Sequence, residues 1–267
     1  MTIATESIRV EQQGALAVVV LAQPARGNPI DGAFTRDFKI VALALNDLCE
    51  AGGLRGILLQ ADGPNFCYGG DLKAFYPMRD RLGPPVREWT ANLHMGLQRF
   101  WQLPVPVVAA VQGFAMGGGV GVLAGADMVV AGESSRFGSA FAQLGFSCDS
   151  GSSVTLTARM GWARARRFVM LAEVLTSAQA LQAGLVDQVV ADEQVQAEAL
   201  ALAQRLADGP TRAYGEIKRL FMRAGAAQLT AQLEDEALTL ARVSASADAQ
   251  EGIAAMVERR KPVFKGR

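Results

Sequence analysis

Apolar residues follow two rhythms along the first two-thirds of this chain. Unbroken runs at Ala15–Leu21, Gly56–Gln60, Val105–Gln112, Met128–Ala131 and Leu185–Val190 predict strands buried on both faces. Between Asp31 and Cys49, Phe34, Phe38, Val41, Leu45 and Leu48 recur at steps of four and three, the spacing of an amphipathic helix. A second helix is predicted from about Glu88 to Trp101, and further helix after Gly151. The stretch from Tyr76 to Val86 holds Pro77, Gly83, Pro84 and Pro85 and predicts a mobile segment. Repeated strand–helix units imply α/β architecture with parallel pairing and right-handed crossovers. Beyond about residue 193 strand signals stop, and Gln194–Asp208, Pro210–Ala224 and Ala227–Arg259 predict helices. This divides the chain into a core, 1–192, and a helical region, 193–267.

Composition narrows the functional classes. At 267 residues and 50% hydrophobic, the chain can bury an ordinary core. Its 26 basic and 26 acidic residues show no long run of either sign, which argues against a nucleic-acid partner. The three cysteines, Cys49, Cys67 and Cys148, are widely spaced and suggest neither a disulfide framework nor a metal site. No apolar run reaches about 18 residues and the first residues lack a basic and apolar leader, so no membrane partner and a cytoplasmic location are expected.

Two glycine sites carry the candidate chemistry. Gly113-Phe-Ala-Met-Gly117-Gly118-Gly119-Val-Gly121 follows the strand at 105–112 and opens a helix of small apolar residues. Such a turn lets backbone approach a ligand and points free N–H groups at it, which suits either a phosphate or a thioester oxyanion. Upstream, Phe66-Cys67-Tyr68-Gly69-Gly70-Asp71-Leu72 follows the strand at 56–60. Two N–H donors from two strand ends, converging on one carbonyl oxygen, make an oxyanion hole. Here the sequence resembles the crotonase (enoyl-CoA hydratase/isomerase) superfamily. Phe-Cys-x-Gly-Gly-Asp-Leu, Val-x-Gly-x-Ala-x-Gly-Gly-Gly, Ala126-Asp-Met-Val-Val-Ala and the tail Arg260-Lys-Pro-Val-Phe-Lys-Gly266 fall in the family's order, from about residue 8 to the end.

The resemblance implies a crotonase-like ββα superhelix whose C-terminal helices pack on neighbouring subunits of a homotrimer or dimer of trimers. It implies an acyl-CoA thioester as partner, with coenzyme A arriving as part of the substrate and no tightly bound cofactor or metal. The oxyanion hole maps onto the N–H groups of Gly70 and Gly118. Adenine would meet the backbone of Cys67–Leu72, including Gly69 and Asp71, and Arg26 would approach the phosphates. Phe264 and Lys265 would reach the coenzyme from a neighbouring subunit. Phe75, Tyr76 and Trp89 would line the acyl end, or serve as core.

The acid–base residues depart from the family. Its hydratases hold water with two glutamates, at positions that here are Gly121 and Phe141, and neither can move a proton. Asp149, in Cys148-Asp149-Ser150-Gly151-Ser152, falls in the segment that the resemblance implies is the loop bordering the acyl pocket. It can be a base or merely the cap of the helix that follows. Phe141, Leu144 and Phe146 border this loop, so desolvation is expected to raise its pKa. His94, the sole histidine, stands twelve residues before Pro106, where the family's 4-chlorobenzoyl-CoA dehalogenase branch carries its base; the alternative is a partly exposed surface histidine. Three functions follow. Asp149 can shuttle a proton between C2 and C4 of an enoyl-CoA, or attack an aryl or acyl carbon while His94 activates water. The third is a non-catalytic acyl-CoA-binding protein.

Overall fold

The computed structural model describes residues 2–225 and 229–265, and the elements are those of the described residues. The strands are β1 (Thr2–Ala4), β2 (Ile8–Gln13), β3 (Leu16–Leu21), β4 (Gly56–Ala61), β5 (Val107–Val111), β6 (Phe114–Met116), β7 (Met128–Gly132), β8 (Arg136–Gly138), β9 (Val174–Thr176) and β10 (Gln188–Val190). The helices are α1 (Gly32–Glu50), α2 (Leu72–Phe75), α3 (Gly83–Trp101), α4 (Gly118–Ala124), α5 (Ser152–Met160), α6 (Trp162–Met170) and α7 (Ser177–Gln182). The last third adds α8 (Val195–Ala207), α9 (Thr211–Gly225), α10 (Leu229–Val243) and α11 (Ala247–Val257).

The main sheet has the order β1-β2-β3-β4-β5-β7-β10. Its first three strands are antiparallel, and from β3 onward neighbours run parallel. β3 is buried at every position because both faces are covered. Alternate residues point to opposite faces. Leu16, Val18 and Val20 meet Val195, Ala199, Ala203 and Ala207 of α8, while Ala17, Val19 and Leu21 join the larger core with α1 and α3. The last strand, β10, ends at Val190, and α8 returns soon after to cover the sheet. In the larger core Phe38 sits edge-on to Phe100, centroids 5.3 Å apart, binding α1 to α3. A second sheet, β6-β8-β9, stands at the end of β5. It follows from the turn at Gln112–Gly113 that sends the chain out of the main sheet.

Three expectations need correction. The segment Tyr76–Val86 is a 3₁₀ turn, Tyr76–Arg81, followed directly by α3, and Leu82 and Val86 are buried against Leu240, Ala241 and Ile253. Pro84 and Pro85 occupy the first turn of α3, where a missing N–H removes no intrahelical bond, so they start the helix rather than break it. The helix expected over 227–259 is two, because Ser246 accepts from Ala249 N–H at 3.1 Å and begins α11 afresh; Ala227 lies outside the described residues. The strand expected at 185–190 is only β10, since Leu185 and Val186 form the turn into it. β1, β2 and the small second sheet lie beyond what the long apolar runs indicated.

Gly96 of α3 faces α1 so closely that a Cβ there would lie 3.0 Å from the backbone N and Cα of Lys39. Glycine to alanine in a helix normally adds up to about 1 kcal/mol of stability. Here backbone cannot yield, and Gly96→Ala is expected instead to lower stability by about 1–3 kcal/mol in urea unfolding. A gain would show that the two helices are not locked at this crossing.

Candidate active site

The two glycine loops are brought together by short-range pairing. Cys67 N–H donates to Phe114 O at 3.0 Å, and Met116 N–H to Cys67 O at 2.9 Å, so the chain after β4 runs beside β6. Gly69, at φ 80°, passes so near that a Cβ would lie 2.8 Å from Met116 O. Gly70 and Gly118 consequently line one cavity of about 260 Å³. Its walls include Ile30, Phe75, Trp89, Phe141, Leu144 and Phe146, with Phe75 and Trp89 stacked at 5.5 Å. Gly118 is the first residue of α4, so its N–H has no partner within the helix. A larger open groove of about 1070 Å³ lies away from both glycine loops, between the end of α1 and α9. The candidate chemistry gathers at the smaller, mostly apolar cavity.

Asp149 reaches this cavity from a sharp turn in which Ser150 (φ 59°) and Gly151 (φ 73°) are both left-handed. The turn packs on α4: a Cβ on Gly118 would lie 2.6 Å from Ser150 Oγ, and one on Gly121 2.7 Å from Ser150 O and 2.6 Å from Ser152 Oγ. The Gly121 position, where the family's hydratases carry a glutamate, is thus closed by the Asp149 loop itself. Phe141 fills the other with a buried aromatic ring. Among the described residues, Asp149 is the sole acidic side chain lining the cavity.

Its partner is His94. Nε2 of His94 lies 2.7 Å from Asp149 Oδ1, and Nδ1 lies 2.7 Å from the carbonyl oxygen of Leu233. A carbonyl only accepts, so Nδ1 carries a proton, and an ionised Asp149 requires one on Nε2 as well. The pair is therefore an imidazolium and a carboxylate. The remaining Asp149 oxygen, Oδ2, accepts from Ser150 Oγ at 3.2 Å. Burial by itself would raise the Asp149 pKa and lower that of His94, but the opposite charge and the bond between them win, holding Asp149 below and His94 above their ordinary values. The upward shift expected for Asp149 is corrected on this ground: its apolar walls are real, but a cation sits 2.7 Å away.

Nor is Asp149 the helix cap. Glu236 of α10 caps α5 from across the structure, accepting from Gly151 N–H at 2.7 Å and Ser153 N–H at 2.9 Å. His94, likewise, is no surface histidine, at 5% exposure. Donor atoms of His94, Asp149 and Glu236 fall within 4.8 Å of one another, close enough for a cation. Each is already bound to a proton donor or acceptor, which fits a hydrogen-bonded network better than a metal centre.

The remaining candidates sit at the mouth or beyond it. Leu72 lines the cavity, as does Tyr68, whereas Tyr76 is turned out to Glu258. Asp71 caps α2 through Ala74 N–H and pairs with Arg26 at 2.5 Å; Arg26 also holds Asp31 at 2.8 Å. Cys67 is buried with its sulfur on Gly69 N–H, and burial pushes Cys67 and Cys148 to about 12, so both thiols are unreactive packing. Phe264 and Lys265 lie on the tail against the chain's own α11, where Lys265 N–H donates to Asp248 at 2.7 Å. Glu236, Leu240 and Met256 went unread in the sequence. Glu236 shares the helix stripe of Leu233 and Leu240, a buried carboxylate on an apolar face, but Glu234 and Asp235 beside it disguise the signal.

The model of the enoyl-CoA hydratase/isomerase family matches residues 11–267. The chain belongs to this family. Its acyl-CoA chemistry, an enzyme acting on thioesters at an α/β crotonase core, is thereby shown. The chain is 34% identical over 261 residues to a probable enoyl-CoA hydratase of Rhodobacter capsulatus, covering 98% of each. It is 35% identical over 222 residues to the 1,2-epoxyphenylacetyl-CoA isomerase of Escherichia coli, covering 80% of this chain and 82% of that one. The crystal structure of an enoyl-CoA hydratase from Mycobacterium avium subsp. paratuberculosis matches with a TM-score of 0.87 at 26% identity, over 98% of this chain and all of that one. No helix among the described residues is long and apolar enough to cross a membrane.

The pair predicts a pH profile. Asp149 is lowered, so its carboxylate stays ionised down to below the ordinary value of 3.8, and activity that depends on that charge is lost only as pH falls through the lowered pKa. His94 is raised, so the imidazolium persists above 6.5, and its stabilisation fades as pH rises through the folded pKa. kcat/KM for an enoyl-CoA substrate should therefore be flat from about pH 5 to beyond 6.5 and fall on the alkaline side. A rise with pH through 6–7 would mean that neutral His94 is the working form.

Proposed function

We propose that this family member isomerises the double bond of an enoyl-CoA, with Asp149 carrying the proton. The observation that carries the reading is that Asp149 is the one acidic side chain, among the described residues, on the wall of the cavity that Gly70 and Gly118 also line. The thioester oxygen would accept from the N–H groups of Gly70 and Gly118, so that the charge of a C2 carbanion is spread onto oxygen as an enolate. Asp149 Oδ2 takes the proton from C2 and returns it at C4, moving the double bond. One carboxylate suffices for that exchange. Hydration also needs a held water, and the two positions that hold it in the family are Gly121 and Phe141 here. Similarity to a protein named as an isomerase is in keeping with this choice.

The competing reaction makes Asp149 a nucleophile and His94 the base for water. His94 is adjacent, as that reading requires, but its two ring nitrogens are committed to Asp149 and Leu233 O, leaving no lone pair for water. It also stands behind Asp149 rather than on the cavity wall. The isomerase reading uses the pair as it stands.

Asp149→Asn keeps the size and a hydrogen-bonding group toward His94, which can release its Nε2 proton and so avoid an unmatched charge, and the fold should survive with melting lower by several degrees. Deuterium exchange at C2 and turnover, across aliphatic and aryl acyl-CoAs, should fall at least about 10²–10⁴-fold. Exchange that persists in the folded variant would remove Asp149 as the base. Solvent ¹⁸O retained in wild-type Asp149 after a single turnover would replace the shuttle with the nucleophile.

For the assembly we propose a homotrimer or dimer of trimers, in which Phe264 and Lys265 reach a neighbour's coenzyme while Arg26 and the Cys67–Leu72 backbone hold it within the subunit. Exposed Ile217, Leu220 and Phe221 along α9 favour burial against another copy. Sedimentation should give three or six chains. A monomer with full acyl-CoA affinity would sink the proposal.

A further inference from the structure

Two features of α10 meet at the candidate site, the Leu233 carbonyl and the Glu236 carboxylate. The Leu233 carbonyl accepts from His94 Nδ1, fixing the ring so that Nε2 faces Asp149. One turn later the Glu236 carboxylate takes the N–H groups of Gly151, in the left-handed turn after Asp149, and of Ser153 just beyond it. α10 thus grips both members of the ion pair, one through a backbone oxygen and the other through the chain that carries it. Glu236 is 4% exposed, does not line the candidate cavity and, among the described residues, forms no ion pair; the nearest charged groups are the imidazolium and Asp149, with donor atoms within 4.8 Å. A helix end can be capped by a short local side chain at far smaller cost than a buried glutamate brought from 83–85 residues away. Its placement beside His94 gives it a second use. Burial and the Asp149 charge push the Glu236 carboxyl up, while the Ser153 hydrogen bonds and the imidazolium favour its charged form, and that charge keeps the proton on His94 when Asp149 gains one from substrate.

We propose that Glu236 is a positioning residue of this enzyme: it bolts the Asp149 turn to α10 and keeps His94 protonated, so that Asp149 presents a fixed, ionised Oδ2 to the cavity through the whole proton transfer. This rests on the reading of Asp149 as base. The groups facing His94 are Asp149 and Glu236, with Cys148 beside them and held as a neutral thiol.

The chain has one histidine, so the imidazole ¹⁵N signals of uniformly labelled protein belong to His94 without assignment. Wild type should show both nitrogens protonated at pH 7. Glu236→Gln removes the charge and one of the two cap acceptors. Its His94 titration midpoint should fall by at least about half a pH unit, and kcat by at least about tenfold, with KM within about twofold. Glu236→Asp restores the charge and should return the midpoint most of the way to wild type; it also serves as the test should the Gln variant fail to fold, with its own kcat loss then read against an unmoved midpoint. If Glu236→Gln only melts earlier, with His94 titration and kcat unchanged, Glu236 is a cap and nothing more. The titration needs no substrate, which separates the two ideas. A shifted midpoint alongside an Asp149→Asn variant that still exchanges C2 would overturn the base and leave the positioning of the pair standing. An unshifted midpoint with an inactive Asp149→Asn would do the reverse.

Discussion

A carboxylate set among Phe141, Leu144 and Phe146 would ordinarily take up a proton, because an apolar wall disfavours its charge. Asp149 stays ionised here because His94 stands 2.7 Å away with its other nitrogen tied to a backbone carbonyl. Much of the architecture serves that contact. His94 is carried by α3, Asp149 leads into the left-handed turn at Ser150 and Gly151, and α10 bonds to His94 through Leu233 O and to that turn through Glu236. Removing one member of such a buried pair typically costs about 3–5 kcal/mol, since the other is left charged and unmatched. The geometry is therefore enforced by stability.

The glycine loops contribute the opposite quality, an absence of side chains. Cys67 donates to the Phe114 carbonyl and accepts from Met116 N–H, so that Gly70 and Gly118 come to line one cavity. Gly121 extends this on α4. By admitting the Ser150–Ser152 segment into contact, it lets the Asp149 loop occupy the space that a longer residue would fill. A small residue on one element thus allows another element to approach, and the loop that carries Asp149 closes the position where the family's hydratases hold a glutamate.

Much of this was legible in the chain itself. The unbroken runs of β3, β4, β5 and β7 could only be strands covered on both faces, and the i, i+4 spacing of Phe34, Phe38 and their neighbours could only be a helix facing them. The two glycine motifs, and the lack of any proton-moving residue at Gly121 and Phe141, were visible as letters. These signals are local: each depends on a period or spacing within about twenty residues. The prolines of 77–85 misled because proline marks either a break or a first turn, and the difference lies in whether Leu82 and Val86 find an apolar partner far along the chain.

The sequence by itself determined the α/β core, the family and the list of groups able to do chemistry, because hydrophobic period and glycine spacing are properties of neighbouring residues. It could not determine what those groups are to one another. Asp149 and His94 are 55 positions apart, and Glu236 lies 85 beyond the Gly151 it grips. Whether Asp149 caps a helix or faces a substrate, and whether its pKa rises with burial or falls beside a cation, depends on distances of under 3 Å between such remote residues. Electrostatic and hydrogen-bond energies vary steeply over that range, and only the folded chain sets it.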